Sequence, residues 1–266
     1  MALPVPSETS TALVTGASSG IGADLARELA ARGHGVTLVA RREDRLQTLA
    51  GELRDAHGVR AEVLACDLAD PEARDALPER IAALGLTVEV LVNNAGYGSA
   101  GRFVGLDATK ETGQVRLNCE AVVALTHAFA PGMVGRGRGA ILVVASSAGF
   151  QPLPGQATYG ATKAFALSFA EALHGELGVH GIAVTALCPG PVHTEFMEVA
   201  AATELASSAP GFAWVDSDEC ARQAVDGLVK NRRVVVPGLA IKVVTLAGQH
   251  TPRSILLPLL KRFYPA

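Results

Sequence analysis

Tyr159 and Lys163, in YGATK, have the makings of an acid–base pair. Four residues apart, they share a face if the segment is helical. A phenol with an ordinary pKa of about 10 exchanges protons poorly near neutrality, and a neighbouring ammonium favours its phenolate. Alone, the spacing fits an exposed Tyr–Lys pair better. A second stretch, TGASSGIG at residues 15 to 22, carries Gly16, Gly20 and Gly22 with Ser18, Ser19 and Ile21 between them. Its glycines permit a tight turn and close approach to a ligand, and amides at the start of a helix can hold a pyrophosphate. In LVARREDRL, residues 38 to 46, Arg41 and Arg42 stand where another helical pattern begins. They fit either a solvated face balanced by Glu43 and Asp44 or a phosphate site. Cations at a helix start oppose its dipole, so helix stability does not explain them.

The elements that must position these residues follow from hydrophobic pattern. Residues 11–15, 35–40, 61–66, 88–94, 140–146 and 182–188 are short, apolar, β-branched runs, as expected of strands buried on both faces. A seventh run, 232–237, completes the set. Between them, segments such as ADLARELAARG repeat apolar residues every three or four positions and end in glycine. Strand–helix alternation with compact turns predicts right-handed crossovers and an α/β, doubly wound parallel sheet of about seven strands, helices on both faces, ligands near the strands' carboxyl ends. The 266 residues form one expected domain, with a core over about 10–240, a less regular segment over about 191–215 and a helical C-terminal extension over about 239–266.

A formal charge of -3 without a long basic run argues against nucleic acid as the main partner. Cys66, Cys119, Cys188 and Cys220 are dispersed, with no metal-ligand spacing, and no metal is expected. Reduced thiols, a first segment unlike an export signal and the lack of an 18-residue apolar run lead to a cytoplasmic expectation.

The glycine stretch resembles the TGxxxGxG signature of the short-chain dehydrogenase/reductase family, and the resemblance continues in order over roughly residues 10 to 240. It implies a Rossmann-like fold and a nicotinamide cofactor. Asp67 and Leu68 follow the third strand, where the family contacts adenine, and NNAG supplies Asn94, Ala95 and Gly96 after the fourth. CPGPVHTEF resembles the segment after the sixth strand; Pro189, Gly190 and Val192 shape it, and Thr194 matches the nicotinamide carboxamide contact. Relatives preferring NAD often end the second strand with an acid, but Ala40 stands here and Arg41 follows. The resemblance therefore implies NADP(H), with Arg41 at the 2′-phosphate and Arg42 assisting, stacking near adenine or facing solvent. Its catalytic set is Ser146, thirteen residues before Tyr159, with Tyr159, Lys163 and Asn118. Tyr159 and Lys163 also contact the cofactor. Ser147 competes with Ser146, and His193 is read as a loop histidine bordering the substrate.

The implied reaction is hydride transfer between NADP(H) and a carbonyl or secondary alcohol, with Ser146 holding the substrate oxygen and Tyr159 exchanging its proton. The substrate is expected to be small and apolar, because Phe150, Leu153, Phe196, Met197, Phe212 and Trp214 lie near the motifs. Homo-oligomers, dimer or tetramer, are expected. Two alternatives are an inactive NADP-binding regulatory or scaffold protein, and a peripheral membrane enzyme acting on a lipid-like substrate. The second concerns the apolar, basic tail from Ala240 onward, whose last run Pro258 interrupts; helices covering the pocket or joining subunits are preferred to lipid contact.

Overall fold

The computed structural model describes residues 3–196, 200 and 211–263. Among them, seven strands form one sheet: β1 Ser10–Thr15, β2 Val36–Ala40, β3 Ala61–Ala65, β4 Thr87–Asn93, β5 Gly139–Val144, β6 Ile182–Leu187 and β7 Val234–Val235. All pairings are parallel, in the order β3-β2-β1-β4-β5-β6-β7. The chain winds outward from β1 to β3, then restarts with β4 on the other side of β1. Such a reversal opens a crevice at the strands' carboxyl ends.

Alternate side chains of each strand enter opposite cores. On one face Ala12, Val14, Val90, Val92 and Leu142 meet Leu25 and Leu29 of α1 (Gly20–Ala31), Leu46 and Leu53 of α2 (Glu43–His57) and Leu228 of α8 (Ser217–Val229). On the other, Leu13, Leu91, Ile141 and Val184 meet Ile81 of α4 (Leu77–Ala83), Met133 of α6 (Ala121–Arg136) and Leu167 of α7 (Ala157–Gly178). Each fully buried leucine or valine contributes about 1.5–3 kcal/mol. Two-sided burial is why these strands read as apolar runs rather than alternating ones. The short α3 (Pro71–Asp75) follows β3, and α5 (Ala108–Val115) enters α6 through a π-helical turn at Arg116–Glu120.

Two expectations need correction. Joined, α5, the π turn and α6 make one helix over Ala108–Arg136 that is long and apolar enough to cross a membrane, with a best-window mean hydropathy of 1.2. Its threonines, glycines and charged ends hid that average from a search for an unbroken run. Val122, Leu125 and Met133 of this helix are nevertheless buried in the sheet's core. Likewise, Pro258 does not end the final helix. The tail forms α9 (Leu239–His250) and α10 (Arg253–Phe263), and Pro258 lies inside the latter. A proline there forgoes one backbone bond, toward Ser254, and the helix continues past it.

Candidate active site

β1 ends in the glycine turn, and close packing explains its composition. Gly16 has φ +66°, and a Cβ there would stand 2.7 Å from Asn94 Nδ2. A Cβ at Gly22 would overlap the Gly16 carbonyl oxygen. Thr15, which the sequence reading passed over, locks this turn to β4. Its hydroxyl donates to the Val92 carbonyl at 2.9 Å and accepts from the amides of Asn94 at 2.9 Å and Ala95 at 3.1 Å. Asn94 Nδ2 donates to the Thr15 carbonyl at 2.8 Å, so this side chain is engaged with the turn's own backbone.

Four elements bring the proposed chemical groups together. Ser146 leaves β5 and accepts the Ala148 amide at 3.1 Å, capping the 3-10 turn Ser147–Phe150. Tyr159 and Lys163 lie one helical turn apart at the start of α7, both buried. Lys163 Nζ donates to the Val144 carbonyl at 2.7 Å and stands 5.9 Å from the centre of the Tyr159 ring. Asn118 occupies the π turn, which resolves an oddity of the sequence: a mid-helix asparagine is unfavourable unless its side chain is otherwise employed. Its Nδ2 donates to the Tyr97 carbonyl at 2.9 Å and Thr162 Oγ1 at 3.0 Å, while its Oδ1 accepts the Tyr97 amide at 3.2 Å.

The proton affinities differ from expectation. Burial pushes the Tyr159 phenol up to about 12, outweighing a lowering hydrogen bond with Ser146. Burial also brings Lys163 down to about 8. The lysine's bond to a carbonyl and its distance from the ring explain why desolvation, not the ammonium, dominates the phenol.

These groups line one cavity of about 760 Å³ at the carboxyl ends of the strands, together with every cofactor-site candidate from Gly16 to Thr194; Asn118 stands behind its wall. Asp67 turns its carboxylate to the Ala69 amide at 3.0 Å, and Leu68 is buried beside it. The short chain dehydrogenase family model matches residues 10–205, a span containing the glycine turn, Ser146, Tyr159 and Lys163.

The chain belongs to the short-chain dehydrogenase family.

A short-chain dehydrogenase from Sphingobium yanoikuyae, solved in complex with NADPH, is 37% identical, with a TM-score of 0.80 over 96% of each chain. The bulky-bulky ketone specific alcohol dehydrogenase of Comamonas testosteroni is 32% identical, with a TM-score of 0.77 over 97% of this chain and all of its own. A very-long-chain 3-oxoacyl-CoA reductase from Anas platyrhynchos is 37% identical over 195 residues, 71% of this chain. The chain spans 52 to 61% of the length of the first such reductases it matches.

Within this family member the arginines divide. Arg41 is exposed at the cavity, and among the described residues its guanidinium makes no hydrogen bond or ion pair. Arg42 instead bridges to the glycine turn, donating to Ser18 Oγ at 3.1 Å and Ser19 Oγ at 2.8 Å. It also pairs with Glu195 at 3.0 Å, and Arg45 pairs with the same carboxylate at 2.6 Å. Neither Arg45 nor Glu195 was singled out from sequence, since 150 residues separate them.

The apolar wall is also rearranged. Leu153 and Phe196 line the cavity as expected, with Phe196 5.4 Å from the Tyr159 ring. Phe150 packs into the second core, and Trp214 stacks on His193 at 4.5 Å; none of the three lines the cavity. His193 is exposed, stacked on Trp214 between two cavity-lining neighbours, Val192 and Thr194. Met197 and the side chain of Phe212 fall outside the described residues. The C-terminal helices supply Ile241, Val244 and Leu260 instead. Helices covering the pocket were expected of the tail, but not these residues, because nothing local in a helix records which distant cavity its inner face will meet.

Proposed function

We propose that this chain is an NADP(H)-dependent reductase of apolar, lipid-like ketones, including 3-oxoacyl groups. One observation carries the reading: a single cavity joins Ser146, Tyr159 and Lys163 to a wall of Leu153, Phe196, Ile241, Val244 and Leu260. The relatives named above for 3-oxoacyl-CoA and bulky ketones, and the NADPH-bound neighbour, support the same class.

The residues suit the dinucleotide. The glycine turn from Gly16 to Gly22 lines the cavity at the start of α1, where backbone amides can hold a pyrophosphate, and Arg41, unpaired among the described residues, offers its guanidinium to a 2′-phosphate. When bound, the nicotinamide supplies the hydride. Ser146 donates a hydrogen bond to the substrate oxygen, which Tyr159 also faces, and the protonated phenol passes its proton to that oxygen as negative charge develops. A phenol held near 12 is still far more acidic than an alcohol, so the transfer runs downhill. Lys163, held by Val144, fixes a positive charge beneath the reacting groups, and Asn118 holds the Tyr97 backbone that forms one side of the cavity.

We also read the protein as homo-oligomeric, which exposed Val115, Val123 and Phe165 on the neighbouring α5–α6 and α7 helices support.

Consumption of NADPH, followed by absorbance with 3-oxoacyl thioesters and bulky aryl ketones, tests the reaction. Tyr159→Phe is expected to reduce turnover by about 10²- to 10⁴-fold with intact folding. Wild-type turnover by this variant would refute the mechanism.

A further inference from the structure

We propose that α9 and α10 form a docking surface for an anionic lipid bilayer. Each helix divides its apolar residues between two faces. Ile241 and Thr245 of α9, and Leu260 of α10, line the cavity, and Leu256 is buried beside them. The other face leaves Leu239, Val243, Ile255 and Leu259 exposed, Leu239 at 79%. They recur at i and i+4, so each pair forms one stripe. Val244, 59% exposed yet part of the cavity wall, stands at the mouth where both faces meet.

Charge identifies the occupant. Residues 239–266 contain Lys242, Arg253, Lys261 and Arg262 and no aspartate or glutamate, while the preceding 238 hold 19 basic residues against 26 acidic ones. Residues 1–238 are thus net acidic, and the C-terminal segment with its exposed apolar stripes is net basic. Exposed Lys242 and Arg253 beside an apolar stripe match the headgroups and acyl boundary of an anionic membrane. A second copy is a poorer match, because a two-fold contact sets this cationic surface against itself. Glu171 and Asp226, beside Lys242 in the adjoining groove, are already paired with Arg233 and with Arg32 and Arg222. This inference stands on the helices' own surface and does not require the ketone substrate to be correct.

The test is co-sedimentation of the full chain with vesicles of phosphatidylcholine alone or with added phosphatidylglycerol, alongside Val243→Asp/Ile255→Asp and Lys242→Glu/Arg253→Glu. All four positions are exposed, and thermal melting identifies any variant that fails to fold. Binding to the anionic vesicles is expected, with at least a tenfold loss of partitioning in each double variant and a decline with salt. Failure of the full chain to sediment, or binding indifferent to both variants, overturns the proposal. So does light scattering that shows a dimer dissociated by Val243→Asp/Ile255→Asp in the absence of lipid, since a second copy then covers the face. Equal binding to both vesicle types also rejects the assigned charge complementarity.

Discussion

Three arginines follow β2, and their partners separate their roles: Glu195 binds Arg42 and Arg45, whereas Arg41 has neither hydrogen bond nor ion pair among the described residues. Local sequence could locate the positive charge, but it could not place the carboxylate that competes for it. A phosphate on the ribose and Glu195 would seek the same guanidinium groups. Glu195→Gln is therefore expected to tighten NADPH binding by about twofold to fivefold, the size typical of an exposed ion pair, with little change for NADH. Arg41→Ala should weaken NADPH about tenfold or more, again sparing NADH. Calorimetric titration with both nucleotides checks this, and equal changes for the two would remove these residues from phosphate selection.

The strands were readable to within a residue or two because burial on both faces imposes an unbroken apolar pattern. Six of them begin and end almost where those runs do; β7 is shorter because Arg232 and Arg233 precede the paired Val234–Val235. Helical periodicity likewise marked α1 and α2, but could not reveal the π turn that turns Asn118 toward Tyr97, or the inward face of α9. Thr15 illustrates the same gap. A threonine at a strand end is unremarkable in sequence, yet its hydroxyl makes three bonds across the switch between β1 and β4. Thr15→Val should lower stability by about 2–3 kcal/mol through unpaired buried groups, measured by urea unfolding, and should weaken NADPH binding in parallel. Loss of neither would show that the glycine turn holds its shape without this lock.

Buried titrating groups give the whole molecule an alkaline stability profile. Lys163 falls from an ordinary 10.5 to about 8, so the unfolded chain holds that proton more tightly and folding gains as pH rises from about 8 toward 10.5. Cys188 and Cys220 rise from 9.0 to about 12, and Tyr159 from 10.0 to about 12, so their contributions are complete below those ordinary values and are lost as pH climbs toward 12. Stability is thus expected to increase between pH 8 and 9, by at most about 1.4 kcal/mol per pH unit from the lysine, and to decline at higher pH. Melting curves across pH 7 to 11 check the profile, and Lys163→Met should flatten its rising limb; an unchanged rise would assign it to other groups.

Trp214 is the only tryptophan in the chain, and its indole stacks on His193, next to Thr194 and Glu195. The loop from Val192 to Phe196, which meets Arg42 and Arg45 and lines the cavity, consequently has a fluorophore stacked against it. Ligand arrival at either end can be timed from intrinsic emission, without a label and without turnover.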